Sequence, residues 1–147
     1  MKNFIAGLAL ALAAFAITGP ASAGDDTSME KAVIPVQYLE IVTEDVETTC
    51  QILAKQHDVT FSDPQPGLGT ARVADLAGGG RIGVRPPLSA EETPVVRPYL
   101  LVDDIEVAIA DVQAAGGEFA MLATDIPGQG KFAIYFLGGI QHGLWER

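Results

Sequence analysis

Eight side chains that could bind a ligand recur at alternate positions of four short apolar segments. The segments are "VQYLEIV", "GRIGVR", "VRPYLLV" and "QHGLWER", and alternate residues of a β-strand share one face. That shared face would carry Tyr38, Glu40, Arg81, Arg85, Arg97, Tyr99, Gln141 and Trp145. Guanidinium groups suit bidentate binding of carboxylate or phosphate, and aromatic walls suit a flat apolar body. The pattern predicts a pocket for a small anionic or aromatic molecule. In the alternative, the arginines lie at strand edges and pair with surface carboxylates.

The single cysteine is the other residue that could do covalent chemistry. Cys50 has no second cysteine with which to form a disulfide within one chain. A catalytic thiol needs a nearby histidine or another group that lowers its pKa. His57 follows seven residues later, about two helical turns away, which is too far for direct contact within one helix. The sequence therefore favours a small buried residue for Cys50 and a helix-end histidine beside Asp58 for His57.

Two Pro-Gly-x-Gly segments, "QPGLGTA" at 65–71 and "IPGQGKF" at 126–132, could suggest phosphate binding. Neither has the Gly-x-x-x-x-Gly-Lys-Ser/Thr spacing of a P-loop, and each precedes an apolar run of strand type instead of a helix. We therefore predict a turn before a strand in both places.

These loops are one part of an internal repeat that positions the candidate residues. When Asp45 is aligned with Asp104, an apolar strand precedes each aspartate, and apolar residues at helical spacing follow it from Val46 and from Ile105. Each aspartate suits a helix N-cap, and Gly116-Gly117 suits the end of the second helix. A short strand, the Pro-Gly-x-Gly loop and two strands joined by a glycine pair follow each helix. The sequence thus predicts two β-α-β-β-β modules.

The first 23 residues have the pattern of a secretory signal peptide. A positive start with Lys2 precedes an apolar run at 4–17 and the small residues "ASA". The run is shorter than the roughly 20 residues that a membrane span requires. Cleavage after Ala23 would leave one domain with eight cationic side chains against nineteen carboxylates. We expect a periplasmic or secreted protein whose net charge of −11 disfavours nucleic acid and anionic membranes as partners.

The repeat resembles the vicinal oxygen chelate superfamily, the group of glyoxalase I, bleomycin resistance proteins and extradiol dioxygenases. The resemblance is carried by "VQYLEIVTEDVE", "YLLVDDIEVAIADVQAAGGEF", "DIPGQGKFAIYFL" and "HGLWE". It implies an α+β fold in which paired βαβββ modules form a curved mixed sheet around a central cavity. The domain would span residues 34–147 after an N-terminal segment at 24–33, with modules at 34–85 and 95–147 and a linker at 86–94.

Metal-dependent members of this superfamily take one His, Gln or Glu ligand from the first and last strand of each module. The matching positions here are Tyr38 and Arg97 in the first strands, and they fall at or beside Gly83 and Gly143 in the closing strands. Arginine cannot lose its proton to become a ligand, and glycine has no side chain. We therefore expect no metal cofactor. A shifted register of the closing strand would allow a divalent metal on Glu40, His142 and Glu146.

The resemblance leaves three functions open. The first is a metal-free protein of the bleomycin-resistance type that binds a small anionic or aromatic molecule. The second is an enzyme, a glyoxalase-like lyase or isomerase or a dioxygenase, that uses a displaced divalent metal or Glu40 or Tyr38 as proton-transfer group. The third is a structural or interaction domain with a closed pocket. Such paired modules often form dimers, so a homodimer is a further expectation.

Overall fold

The computed structural model describes residues 34–147, so the predicted signal peptide and the segment at 24–33 lie outside the described residues. Within that range the chain forms seven strands, two α-helices and one 3-10 turn at Pro66–Leu68. The α+β fold class with a curved mixed sheet is confirmed. The elements are β1 (Val36–Val42), α1 (Val46–His57), β2 (Arg72–Asp75), β3 (Arg81–Arg85), β4 (Val95–Leu101), α2 (Ile105–Ala114), β5 (Glu118–Ile126), β6 (Gly130–Leu137) and β7 (Ile140–Glu146).

The strands form one mixed sheet in the order β2-β3-β1-β4-β7-β6-β5. β1 runs parallel to β3, and β4 runs parallel to β7. The two halves meet where β1 pairs antiparallel with β4, a register that places Tyr38 opposite Tyr99 and Glu40 opposite Arg97. This central pair therefore brings candidate side chains from both halves onto neighbouring strands.

Both helices begin where the sequence predicts. The carboxylate of Asp45 accepts from the amide of Thr48 (3.4 Å), and that of Asp104 accepts from the amides of Glu106 and Val107 (2.9 and 3.0 Å). These bonds satisfy amides of the first turn that have no partner within the helix. The N-cap predictions are confirmed, and α2 ends at Ala114, one residue before Gly116-Gly117.

The Pro-Gly-x-Gly segments are turns, as predicted. The first contains the 3-10 turn, after which Gly69 adopts a φ of 62°. The second connects β5 to β6 as a hairpin, closed by the amide of Gln129 donating to the carbonyl of Ile126 (2.9 Å). Neither segment leads into a helix, so neither offers the helix N-terminus that a phosphate cradle uses.

The strand predicted directly after α1 is not formed. Residues 59–65 contribute one isolated bridge, Gln65 with Ala71, and the amide of Ser62 donates to the carbonyl of Val73 (2.8 Å). Pro64 and Pro66 flank the bridge and have no amide hydrogen for a sheet ladder. The first half therefore has three strands where the second half has four.

The two faces of the sheet bury different side chains. One face packs on the helices, where buried Cys50 of α1 contacts Ile82 and Val84 of β3. Burial raises the pKa of the Cys50 thiol, which fits the predicted packing role. The concave face buries an aromatic cluster that includes Tyr38, Tyr99 and Trp145. In residues 34–147 neither helix has the length and apolarity required to cross a bilayer.

Candidate functional site

A partly open cavity of about 210 Å³ lies on the concave face of the sheet. Its walls are mostly apolar, and its polar groups come from β1, β3, β4 and the linker. The lining residues are Tyr38, Glu40, Gly67, Leu68, Gly69, Arg85, Leu88, Glu92, Arg97, Tyr99, Met121, Ile126, Phe132, Ile134 and Trp145. The combination of apolar walls with a few polar groups is typical of small-molecule sites.

Two tyrosines lie over two glycines at the bottom of this cavity. A Cβ added at Gly83 would overlap the hydroxyl of Tyr38, and a Cβ added at Gly143 would overlap the ring of Tyr99. The tyrosine rings thus fill the space that side chains on the closing strands would take. Their centroids lie 5.7 Å apart, and each ring also packs on Trp145, at 5.4 and 5.8 Å. Aromatic pairs at these separations attract each other beyond their area burial.

At one end of the cavity, Glu40 is the centre of a buried polar cluster that we call the Glu40 network. Its carboxylate accepts from the Nε of Arg85 (2.6 Å), the guanidinium of Arg97 and the hydroxyl of Tyr99 (3.0 Å). The side chains of Arg85 and Arg97 are 5 % exposed and that of Glu40 is 8 % exposed. A buried carboxylate between two cations avoids the cost that an isolated buried charge would carry.

Two more residues complete the Glu40 network. Both terminal nitrogens of Arg85 donate to the carboxylate of the linker residue Glu92, at 2.8 and 2.7 Å. Arg97 donates to the side-chain oxygen of Gln141. The hydrogen bonds from Arg85 lower the pKa of Glu92 to about 2. Burial acts to lower the pKa of Arg85, but its bonds to Glu92 and Glu40 outweigh burial and raise it.

Arg81 does not line this cavity but lies in a neighbouring open groove, and we call it, together with Tyr38, Trp145 and Gln129, the Arg81 group. The Arg81 guanidinium lies 5.7 Å from the ring centre of Tyr38 and 5.5 Å from that of Trp145. It donates one hydrogen bond, to the side-chain oxygen of Gln129 (2.8 Å). Among residues 34–147, its buried Nε and the buried hydroxyl of Tyr38 have no hydrogen-bond partner. Burial raises the pKa of Tyr38, so its hydroxyl is protonated at neutral pH.

The structure brings most of the predicted ligand-binding residues together, but Arg85 and Arg97 already form ion pairs with Glu40. Six of the eight line the cavity, while Arg81 lies in a neighbouring open groove and Gln141 lies behind Arg97. The alternative of surface pairing is wrong for Arg85 and Arg97, which pair with the buried Glu40. Arg72 on β2, which is not among the eight, does pair with a surface carboxylate, that of Glu47, which is 67 % exposed. The physical reason is the β1–β4 register, which sets Arg97 directly opposite Glu40.

The combination of Glu40, His142 and Glu146 as metal ligands is not formed. His142 stacks on Tyr135 at 5.2 Å, and Glu146 accepts from the amide of Ile105 (2.8 Å) at the start of α2. Both side chains lie on the helix face, because they alternate with Gly143 and Trp145 on the cavity face. Within residues 34–147, no three His, Cys, Asp or Glu side chains lie close enough to hold a metal.

The donor set of the cavity does not fit the divalent ion that the fold family implies. The cavity supplies two carboxylates, Glu40 and Glu92, and each is already paired with an arginine. The two guanidinium groups are permanent cations, which repel a divalent ion and cannot act as ligands. The four positions expected for ligands carry Tyr38, Arg97, Gly83 and Gly143, and the tyrosine rings cover both glycines.

Several lining residues were not identified by the sequence analysis. Phe132 and Ile134 alternate on β6, so their shared face could have been recognised from strand periodicity. Met121 and Ile126 lie on an irregular strand whose register shifts twice, which obscures the alternation. Glu92 comes from the linker, where no pattern separates it from the neighbouring Glu91.

Comparison with solved structures places this geometry in a known fold. A hypothetical protein from Bacillus halodurans C-125 matches with a TM-score of 0.62 and 15% identity, over 79% of this chain and 96% of that chain. Methylmalonyl-CoA epimerase from Mycobacterium tuberculosis matches with a TM-score of 0.59 and 12% identity, over 75% and 85% of the two chains. A Streptomyces coelicolor methylmalonyl-CoA epimerase in complex with 2-nitronate-propionyl-CoA gives 0.57 and 12%, over 78% and 98%.

These likenesses, all at 15% identity or less, show the fold alone, and it is the kind of mixed sheet with two helices that the resemblance to the vicinal oxygen chelate superfamily implied. The fold predicted from the sequence resemblance is confirmed. No protein-family model and no curated protein matches the sequence. At such low identities, the function has to be argued from the cavity itself.

Proposed function

We propose that this protein binds a small aromatic molecule in the cavity between Tyr38, Tyr99 and Trp145, without a metal ion. The observation that carries the proposal is the size and chemistry of this cavity. Its volume is about 210 Å³, and its walls are mostly apolar. An apolar cavity of about 150 Å³ in another protein takes up benzene, so one substituted ring fits here.

The hydroxyl of Tyr38 supports a ligand with a hydrogen-bonding group on the part that lies beside Tyr38. This hydroxyl is buried, belongs to a cavity-lining residue and has no partner among residues 34–147. A buried polar group without a partner costs about 1–3 kcal/mol, and a ligand that hydrogen-bonds to it would recover part of that cost. The Glu40 network, in contrast, satisfies its own charges and does not require a ligand for stability.

The same geometry makes the enzyme alternative less favoured. Three donors hold the oxygens of Glu40, so this carboxylate is poorly placed to accept a substrate proton. The raised pKa of Tyr38 keeps its phenol protonated, which removes it as a base. A lyase, isomerase or dioxygenase with a displaced metal would need donors that are free of arginines. Near-stoichiometric metal in the purified protein, measured by mass spectrometry, would restore that alternative.

Export remains part of the proposal. The pattern of residues 1–23 predicts secretion and cleavage after Ala23, so the protein would carry or sequester its ligand outside the cytoplasm. Detection of a mature protein that begins at Gly24 in a periplasmic fraction is the expected result. An uncleaved chain in the cytoplasm would contradict it.

Ligand-observed NMR with a panel of one-ring and two-ring aromatic compounds tests the binding function. Met121 lines the cavity, whereas the next residue, Leu122, does not and is 57% exposed. We expect Met121→Trp to fill the cavity and to weaken the panel's binders at least ~10-fold, while Leu122→Trp leaves them unchanged. A panel with no binder that responds to Met121→Trp would overturn the proposed function.

A further inference from the structure

The carboxylate of Glu92 occupies an anion-binding position at the edge of the cavity. One oxygen of its carboxylate accepts from Arg85 (2.8 Å) and from the amide of Leu88 (2.7 Å). The other accepts from Arg85 (2.7 Å) and lies 4.0 Å from Arg97. Two parallel bonds from one guanidinium are the usual geometry for recognition of a carboxylate. The position would therefore suit any planar carboxylate of the same orientation.

The linker segment that carries Glu92 is weakly attached to the rest of the domain. Among the hydrogen bonds described for residues 34–147, those that join residues 88–93 to the sheet all run through the Glu92 carboxylate. Leu88, the large apolar residue of this segment, is 66% exposed. Few buried apolar contacts and one anchoring ion pair are typical of a segment that opens at low cost.

Departure of Glu92 would leave an unbalanced positive charge inside the cavity. The lining includes two cations, Arg85 and Arg97, and two carboxylates, Glu40 and Glu92. Without Glu92, the two guanidinium groups face Glu40 alone, so the site gains one net positive charge. A buried site of that charge attracts one anion and discriminates against neutral molecules of the same shape.

We propose that the guanidinium of Arg85, supported by Arg97, is the carboxylate subsite of the cavity, and that Glu92 fills this subsite until a ligand carboxylate displaces it. The ligand class is then an aromatic monocarboxylate, with its ring among Tyr99, Phe132 and Trp145 and its carboxylate in the position of the Glu92 carboxylate. This inference rests on the proposed function, because the ring must enter the same cavity. Beyond the proposed function, it specifies that the ligand is negatively charged and that Glu92 competes with it for Arg85.

Isothermal titration calorimetry with benzoate and benzamide tests the exchange, because the two probes share a ring and differ in charge. Glu92→Gln removes the competing carboxylate, and Glu91→Gln is the matched control on the exposed neighbouring residue. A site that is mostly occupied by an internal competitor binds its ligand more weakly by the fraction that is free. We expect Glu92→Gln to tighten benzoate binding about 10-fold and to leave benzamide unchanged, while Glu91→Gln changes neither.

The possible outcomes separate this inference from the proposed function. If benzamide binds and benzoate affinity is the same in the wild type and in Glu92→Gln, the carboxylate subsite is wrong and the aromatic cavity stands. If Glu91→Gln tightens benzoate as much as Glu92→Gln does, the effect is one of general surface charge and the inference is also wrong. If neither probe binds any of these proteins, this inference is wrong, and the proposed function is wrong as well if the aromatic panel also contains no binder.

A second measurement needs no substitution and so does not depend on how the variants fold. The amide of Leu88 donates to the same Glu92 oxygen that accepts from Arg85, so its resonance reports whether the Glu92 carboxylate is still held against Arg85. We expect benzoate, but not benzamide, to shift the Leu88 amide resonance of the wild-type protein and to speed its exchange with deuterium. Identical spectra of this amide with the two probes at saturation would overturn the exchange.

Discussion

The Glu40 network and the Arg81 group both contain arginines of the same sheet, but these arginines differ in how many hydrogen bonds they donate. Arg97 donates to a carboxylate, a phenol and an amide oxygen. Arg81 donates to one amide oxygen and otherwise lies against two aromatic rings. The two regions meet where Tyr38, which lies against Arg81, packs on Tyr99, which donates to Glu40, with their ring centres 5.7 Å apart. On one sheet, a cluster whose buried polar atoms all have hydrogen-bond partners thus lies beside a cluster in which two of them have none within residues 34–147.

The difference follows from what lies across the central strand pair. Arg97 on β4 is opposite Glu40 on β1, so a buried cation meets a buried anion within the sheet. Arg81 is next to Tyr38 in the parallel pairing of β1 and β3, so its neighbour is an apolar ring. The Glu40 network therefore links the two halves of the fold through charge. In the Arg81 group, the hydroxyl of Tyr38 has no hydrogen-bond partner in the part of the chain that the structure describes, and we expect a polar group of the ligand to bind there.

Removal of each arginine should show the largest contrast. We expect Arg97→Met to lower the free energy of unfolding by about 3–5 kcal/mol, because Glu40 loses one of its two cations and Gln141 loses its partner. Arg81→Met should cost about 1 kcal/mol or less, since only a cation–π contact and one neutral acceptor are lost. Urea unfolding of both variants measures the difference. Equal costs would show that the two regions do not differ in this way.

Alanine substitution of the two covered glycines should give a smaller contrast in the same direction. An added Cβ at Gly83 meets Tyr38, whose hydroxyl has no partner, and one at Gly143 meets Tyr99, whose hydroxyl is held by Glu40. Overpacking of a core costs about 1–3 kcal/mol, and we expect Gly143→Ala near the top of that range and Gly83→Ala near the bottom.

Gly78 provides the matched control for these two glycines. No atom lies within 4 Å of a Cβ added there. Gly78→Ala should therefore leave the thermal unfolding midpoint unchanged. If Gly83→Ala costs more than Gly143→Ala, the bound hydroxyl of Tyr99 does not make its ring harder to displace.

Local signals were enough to predict most of the helices, strands and turns, whereas the curved sheet that they form was expected only from the family resemblance. Asp45 and Asp104 begin the helices, and glycine pairs such as Gly138-Gly139, with φ of 58° and 77°, form the hairpin turns. Each of these is a property of a few neighbouring residues, so it can be read without knowledge of the tertiary structure. The missing strand after α1 is the exception, because prolines 64 and 66 outweigh the apolar pattern.

The site could be predicted only as far as the faces of its strands. Alternation predicts that Glu40 and Arg97 share a face, but their pairing depends on the register between β1 and β4, which lie far apart in the chain. The glycines at 83 and 143 indicate empty ligand positions, yet nothing local indicates that tyrosines from other strands would cover them. The ion pair of Glu92 with Arg85 depends on how the linker folds back onto the sheet, and no periodic pattern in the sequence indicates that path.

The smallest expected effect is the acid sensitivity of the contact between the linker and the Glu40 network. Hydrogen bonds from Arg85 lower the pKa of Glu92 in the folded protein to about 2, below its ordinary value. A depressed pKa means that the charged form stabilises the fold above the ordinary pKa, and this contribution is lost as the pH falls towards 2. We expect the unfolding free energy of Glu92→Gln to fall less over that acidic range, by about 1 kcal/mol, since water screens a carboxylate at the cavity edge.

The exposed pair of Arg72 with Glu47 is the control for that measurement, because its carboxylate is mostly in water. Glu47→Gln should follow the wild-type pH profile, whereas Glu92→Gln should depart from it only at acidic pH. If both variants follow the wild type, Glu92 does not hold the linker to Arg85 in solution. The Glu40 network would then lack Glu92, and the guanidinium of Arg85 would be partly free of hydrogen-bond partners, as that of Arg81 is among the described residues.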